Sequence, residues 1–143
     1  MTRRSLLAFL ALLLAKPLSV LAAWNEQAFG AKTAADALKG IDASAPAPSK
    51  DIAIDAPQIA ENGAVVPIEI SSSVPGTTAI AVVIEKNPFP LAARFEFKEG
   101  ALPFVKLNVK MAETSDVRVV AFAGGKQFTA TREIKVTIGG CGG

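Results

Sequence analysis

Thr77-Thr78-Ala79-Ile80-Ala81-Val82-Val83-Ile84-Glu85 is a nearly continuous apolar run rich in β-branched residues. It reads as a buried strand. Asn87-Pro88-Phe89-Pro90 breaks it, because two prolines remove two backbone donors and fix two φ angles.

The β signals continue on both sides of this run. Upstream, Asp51 to Asp55 gives a short alternating piece, and Glu61-Asn62-Gly63 is a turn before a strand from Ala64 to Ile70. Pro67 inside that strand predicts an edge or a bulge. Downstream, Arg94 to Phe97 alternates, as does Phe104 to Met111, whose core face is the odd set Val105, Leu107, Val109 and Met111. Val117 to Phe122 is a further strand. Gly124-Gly125 closes a hairpin onto Lys126 to Ile138, where Phe128, Ile134, Val136 and Ile138 share one face and Thr129 stays with the polar residues. About seven short strands with turns every 8–12 residues predict an all-β immunoglobulin-like antiparallel sandwich over residues 51–138. The Cys…Trp…Cys core of antibody domains is absent.

Ahead of the sandwich, residues 24–42 have a helical look. Trp24, Ala28, Ala31, Ala35 and Leu38 recur at spacings of three and four, and Gly40 serves as a stop. Gly30 and Thr33 weaken the middle, which fits one bent helix or two short ones. Trp24 and Phe29 are expected to pack onto the domain. Residues 43–50, ASAPAPSK, form a Pro/Ala/Ser linker with neither helical nor strand period.

Residues 1–23, MTRRSLLAFLALLLAKPLSVLAA, follow signal-peptide grammar: a basic start, an apolar run from Leu6 to Ala15, and a small-residue end suited to cleavage after Ala22 or Ala23. The apolar run is too short to span a bilayer, so no membrane anchor is expected. Thr2-Arg3-Arg4-Ser5-Leu6-Leu7 resembles a twin-arginine motif, with Leu6 where that pattern prefers Phe. Export to a bacterial periplasm is the expectation.

The 143 residues contain no His, no Tyr and one Cys. The commonest general base and metal ligand is therefore absent, and neither an internal disulfide nor a cysteine metal cluster can form. No cofactor and no metal are expected. The formal charge of +2 includes Arg3, Arg4 and Lys16; from Trp24 onward 12 basic residues face 13 acidic ones, a net of −1, which argues against a nucleic-acid partner. Glu61 and Asp55 read as turn and strand-end residues, and Lys86 and Arg94 as solvated charge.

The last strand runs into Gly139-Gly140-Cys141-Gly142-Gly143. Four glycines surround the only thiol, which predicts a thin, flexible arm. Three residues carry Cys141 about 10 Å from the strand end, so the arm can enter a channel that excludes a folded domain. A free thiol titrates near ~8.5, leaving only a few per cent thiolate at neutral pH. No His is present to activate it, and the terminal carboxylate opposes its ionisation. These residues fit a carrier whose thiol is activated inside another protein's active site, not an autonomous enzyme.

The ending Val136-Thr137-Ile138-Gly139-Gly140-Cys141-Gly142-Gly143 resembles the SoxY family, the sulfur-carrier subunits of the bacterial thiosulfate-oxidising Sox system. Ala56 to Pro67 (APQIAENGAVVP) and Glu85 to Pro90 (EKNPFP) are similar to that family's central segment and proline corner. The resemblance implies an immunoglobulin-like sandwich paired with a SoxZ-like β subunit as a heterodimer. It implies covalent sulfur attachment at Cys141, on an arm formed by Gly139, Gly140, Gly142 and Gly143. It also implies transient contact with a haem c-type cytochrome, a manganese-dependent thiosulfohydrolase and a sulfur dehydrogenase.

Two other classes compete. A periplasmic structural or adhesion module cross-linked through Cys141 would tolerate bulky residues at Gly139 and Gly140. A ubiquitin-like carrier would use its terminal carboxylate, survive Cys141→Ser and fail on deletion of Gly143; the export leader argues against it. Exposure of a lone thiol has its own consequence. Under mild oxidation the chain is expected to run as a disulfide-linked pair through Cys141 on non-reducing electrophoresis, collapsing to single chains with reductant. Unlinked chains only would contradict this.

Overall fold

The computed structural model describes residues 24–140. The signal-peptide reading falls on residues 1–23 and lies outside them. Two helices, α1 (Glu26–Phe29) and α2 (Ala34–Gly40), precede nine strands: β1 (Ala47–Pro48), β2 (Ile52–Asp55), β3 (Ile59–Ala60), β4 (Val66–Ser72), β5 (Thr77–Ile84), β6 (Leu91–Glu96), β7 (Phe104–Val109), β8 (Ser115–Ala123) and β9 (Lys126–Val136). One sheet has the order β1-β9-β8-β5-β6, with β3 also pairing β9; the other has the order β2-β4-β7. The long ladders are antiparallel, and the two-residue strands β1 and β3 join β9 in parallel.

Strand β5 is apolar on both faces because both faces are covered. Ile80, Val82 and Ile84 point into the core between the sheets, with Val117, Val119 and Ala121 of β8 and Ile68 and Ile70 of β4. Ala81 and Val83 point the other way and pack with Val120 and Leu91 under Ala28, Ala37, Leu38 and Ile41 of the helical segment. The molecule therefore has three layers: helices, large sheet, small sheet. On the small sheet, alternation along β4 puts Val66, Ile68 and Ile70 inward and Pro67, Glu69 and Ser71 outward. Val105, Leu107, Val109 and Met111 face the core, as their parity predicts. On the outer face, the hydrogen bond to Glu69 and its charge hold the Lys106 ammonium above its usual pKa.

The N-terminal segment forms two short helices, and the break has a chemical cause. Asn25 caps α1 by accepting from the Ala28 N–H at 3.0 Å. Thr33 caps α2 by accepting from the Asp36 N–H at 3.1 Å, so this residue starts a helix instead of weakening one. The buried set shifts accordingly: Ala37 is buried where the spacing points to Ala35, which is exposed. Phe29 packs on the helical core, while Trp24 stays 66% exposed and stacks on Phe29 at 4.3 Å instead of packing onto the domain.

Other expectations are refined by pairing. The ASAPAPSK stretch supplies β1, which lies against Phe128 and Thr129 of β9. Pro67 opposes Asn108 on one side only, since β2 ends at Asp55 opposite Glu69; the strand is an edge at that residue. Thr129 is buried, its hydroxyl donating to the Val119 carbonyl at 2.9 Å, so a polar residue enters the interior with its bond made. Ile138 lies past the end of β9 and is 67% exposed, unlike Ile134 on the same parity. Gly124 and Gly125 both have positive φ, as a two-residue hairpin needs.

Gly40 is the last residue of α2, and its function is close approach: a Cβ there would sit 2.8 Å from Ala28 Cα and 2.9 Å from Ala28 Cβ. Gly40→Ala gains helix propensity of about 1 kcal/mol but forces α1 and α2 apart, an overpacking cost of about 1–3 kcal/mol. A net loss of stability is expected, seen as a fall of a few degrees in the thermal midpoint by circular dichroism. An unchanged or raised midpoint would contradict the contact.

Candidate functional site

The site is built where β9 runs out. Val136 receives the hydroxyl of Thr114 as acceptor for its N–H at 2.9 Å. Thr137 donates its N–H to the Ala60 carbonyl at 3.1 Å and its hydroxyl to the Glu61 carbonyl at 2.9 Å. The chain then enters a seam of three backbones. Gly63 N–H donates to the Ile138 carbonyl at 2.7 Å, Met111 N–H donates to the Gly63 carbonyl at 2.7 Å, and Gly140 N–H donates to the Met111 carbonyl at 2.8 Å.

The seam brings the backbone of Gly139 and Gly140 close to neighbouring segments. Both glycines are packed against the body. A Cβ on Gly139 would overlap the Ala112 carbonyl oxygen, and one on Gly140 would overlap the backbone of Gly63 and Ala64. A Cβ on Gly63 would overlap the Met111 carbonyl and lie 2.9 Å from both Gly140 N and Val136 Cγ1. Gly63 is absent from the glycines of positive φ, so the turn does not require it for backbone freedom. Its missing side chain makes room for the tail. Asn62 forms the turn, its side-chain oxygen accepting from the Ala64 N–H at 2.9 Å.

Cys141, Gly142 and Gly143 lie outside the described residues. Covalent geometry alone places the Cys141 Cα one trans-peptide step, about 3.8 Å, from that of Gly140. Gly140, the last described residue, lies beside the 62–64 turn and the 111–112 segment.

The proline corner contributes more than a strand break. The Asn87 amide donates to the Lys110 carbonyl at 2.7 Å and accepts from the Ala112 N–H at 2.9 Å, gripping the chain on either side of Met111. The Met111 side chain is fully buried in the main core. Sequence reasoning marks neither Asn87 nor Met111 as part of the site, and marks Gly63 only as a turn residue. The partners of Asn87 lie 23 and 25 residues away, and no local pattern marks them.

The charges read as solvated are paired: Lys86 with Glu113 at 3.5 Å, and Arg94 with Glu96 at 3.2 Å, with the Arg94 guanidinium also 4.4 Å from the Phe122 ring centre. Among the described residues no three His, Cys, Asp or Glu side chains converge as metal ligands, and no helix is long and apolar enough to cross a membrane. An open cleft of about 840 Å³ is lined by residues including Trp24, Phe29, Arg94, Phe122 and Gln127. Neither Gly139 nor Gly140 lines it.

The family model of the sulfur oxidation protein SoxY matches residues 37–141, a span that includes the seam and ends on the thiol residue. The chain belongs to the SoxY family. The solved structure of the sulfur carrier protein SoxY from Chlorobium limicola f thiosulfatophilum is similar to it, with 42% sequence identity, a TM-score of 0.67, and coverage of 80% of this chain and 100% of that one. No curated protein matches the sequence. SoxY membership carries the immunoglobulin-like sandwich with it, and gives this chain a carrier role in sulfur oxidation, not a catalytic one.

Proposed function

We propose that this chain is a periplasmic sulfur carrier that holds thiosulfate-derived intermediates covalently on Cys141. The observation that carries the reading is the SoxY match running through the only cysteine of a chain without histidine.

The chemistry suits a thiol that is passed between enzymes. Attachment joins the Cys141 sulfur to the outer sulfur of thiosulfate, with loss of the thiol proton and two electrons. A haem c-type cytochrome is the class of partner that takes those electrons. A manganese-dependent thiosulfohydrolase then adds water to the sulfonate group, releasing sulfate and leaving a persulfide on Cys141. A sulfur dehydrogenase, where present, oxidises the remaining sulfane sulfur.

The carrier's own contribution is a thiolate that is both nucleophile and leaving group in sulfur exchange. Such sulfur-loaded states are reversible, unlike sulfinic or sulfonic acids. Tethering raises the effective concentration of the intermediate at each enzyme. Residues 1–23 act as the export signal, of twin-arginine type, and a SoxZ-like subunit completes a heterodimer that travels as a folded unit. Gly142 and Gly143 flank the thiol without side-chain bulk, which suits entry into a narrow channel.

Replacing the thiol separates the carrier from a cross-linked structural module. Cys141→Ser is expected to abolish sulfur loading by the thiosulfate-oxidising extract while leaving the stability within about 0.5 kcal/mol of the parent, measured by mass spectrometry and circular dichroism. Sulfur loading that persists in this variant would overturn the assignment.

A further inference from the structure

Three backbones meet at the root of the tail, and one side chain holds one of them to the proline corner. Asn87 makes two hydrogen bonds, to the Lys110 carbonyl and from the Ala112 N–H, one residue on each side of Met111. Both polar backbone groups of Met111 then have a partner: its N–H bonds Gly63, and its carbonyl receives the Gly140 N–H. Gly63 in turn bonds Ile138. Segments 62–64, 110–112 and 138–140 are thus linked by three hydrogen bonds of 2.7–2.8 Å, and at Gly63, Gly139 and Gly140 a methyl group would strike backbone atoms.

We propose that Asn87 and Gly63 are positioning residues for Cys141, forming a seat that holds the root of the arm on the body. The proposal rests on the reading of Cys141 as the attachment point, and adds where the arm begins. If Gly139 and Gly140 hung free from Ile138, the Cys141 Cα could reach about 10 Å in any direction; seated, it lies about 3.8 Å from a fixed point. The volume the thiol-bearing residue searches falls by a factor on the order of ten, and its effective concentration at a docked enzyme rises correspondingly. The two glycines ahead of the cysteine are thereby explained by close backbone contact, and the two after it by lack of bulk. The proline corner is the rigid mount for Asn87, since Pro88 and Pro90 fix the φ angles of the segment that carries it.

The test uses the full mature chain and needs no sulfur chemistry, so it stands or falls separately from the carrier reading. Amide exchange by NMR is expected to show Gly140 protected about tenfold or more over Gly142. Asn87→Ala is expected to remove that protection while the amides of Val82 and Val119 keep theirs. Asn87→Asp, which retains only the acceptor for Ala112, should give an intermediate value, and Asn108→Ala on the outer face of the small sheet should change nothing at Gly140. A nitroxide attached to Cys141 reports the position of the arm. Its motion should quicken several-fold in Asn87→Ala and in Gly63→Ala, a change that lowered global stability alone does not produce. A Gly140 amide exchanging as fast as Gly142 in the parent chain overturns the proposal. So does label motion that is the same in the parent and in both variants.

Discussion

Everything in this fold follows from a strand that cannot face water on either side. Strand β5 sends Ile80, Val82 and Ile84 one way and Ala81 and Val83 the other, and all five are fully buried. Each large aliphatic side chain loses about 1.5–3 kcal/mol if left exposed, so two covering layers are needed. The small sheet β2-β4-β7 supplies one. The other is the helical segment, whose apolar surface is small: Ala28, Ala37, Leu38 and Ile41 suffice because Gly40 lets α1 and α2 lie close. An ordinary two-sheet sandwich would leave one face of β5 wet.

The same strand organises the functional end. β8 pairs along β5 from Thr77 to Ile84, and β9 pairs along β8 for most of its length, so the direction in which the tail leaves is set by ladders rooted in the core. At its other end β5 stops at Ile84 and turns through the proline corner, where the Ile84 N–H still bonds the Pro90 carbonyl at 2.8 Å. That corner carries Asn87 to the segment on which the tail rests. Packing of glycine backbones brings segments 62–64, 110–112 and 138–140 together without adding any side chain at Gly139 or Gly140.

Much of this is legible in the sequence, and the failures share a cause. The strands β4, β5, β7, β8 and β9 are readable because alternation or a continuous apolar run is local. The helix phase fails at Ala35 because Thr33, a weak helix residue by propensity, is a cap that restarts the helix. β1 and β3 are invisible because a two-residue parallel strand has no period; its identity lies in β9. Gly63 looks like an ordinary Asn-Gly turn, and Asn87 like part of a strand breaker, because their partners at Gly140, Lys110 and Ala112 are brought close only by the finished fold. Thr129 goes the same way: its hydroxyl is satisfied by Val119 across the ladder, a bond that polarity alone does not foresee.

The central claim is that Cys141 carries sulfur, and intact-protein mass spectrometry of the chain purified from cells oxidising thiosulfate tests it most directly. The account predicts a mass increase corresponding to sulfur or a thiosulfonate group, mapped to the peptide containing Cys141 and removed by reductant. An unmodified thiol from such cells, or a homodimer disulfide as its only modification, would contradict it.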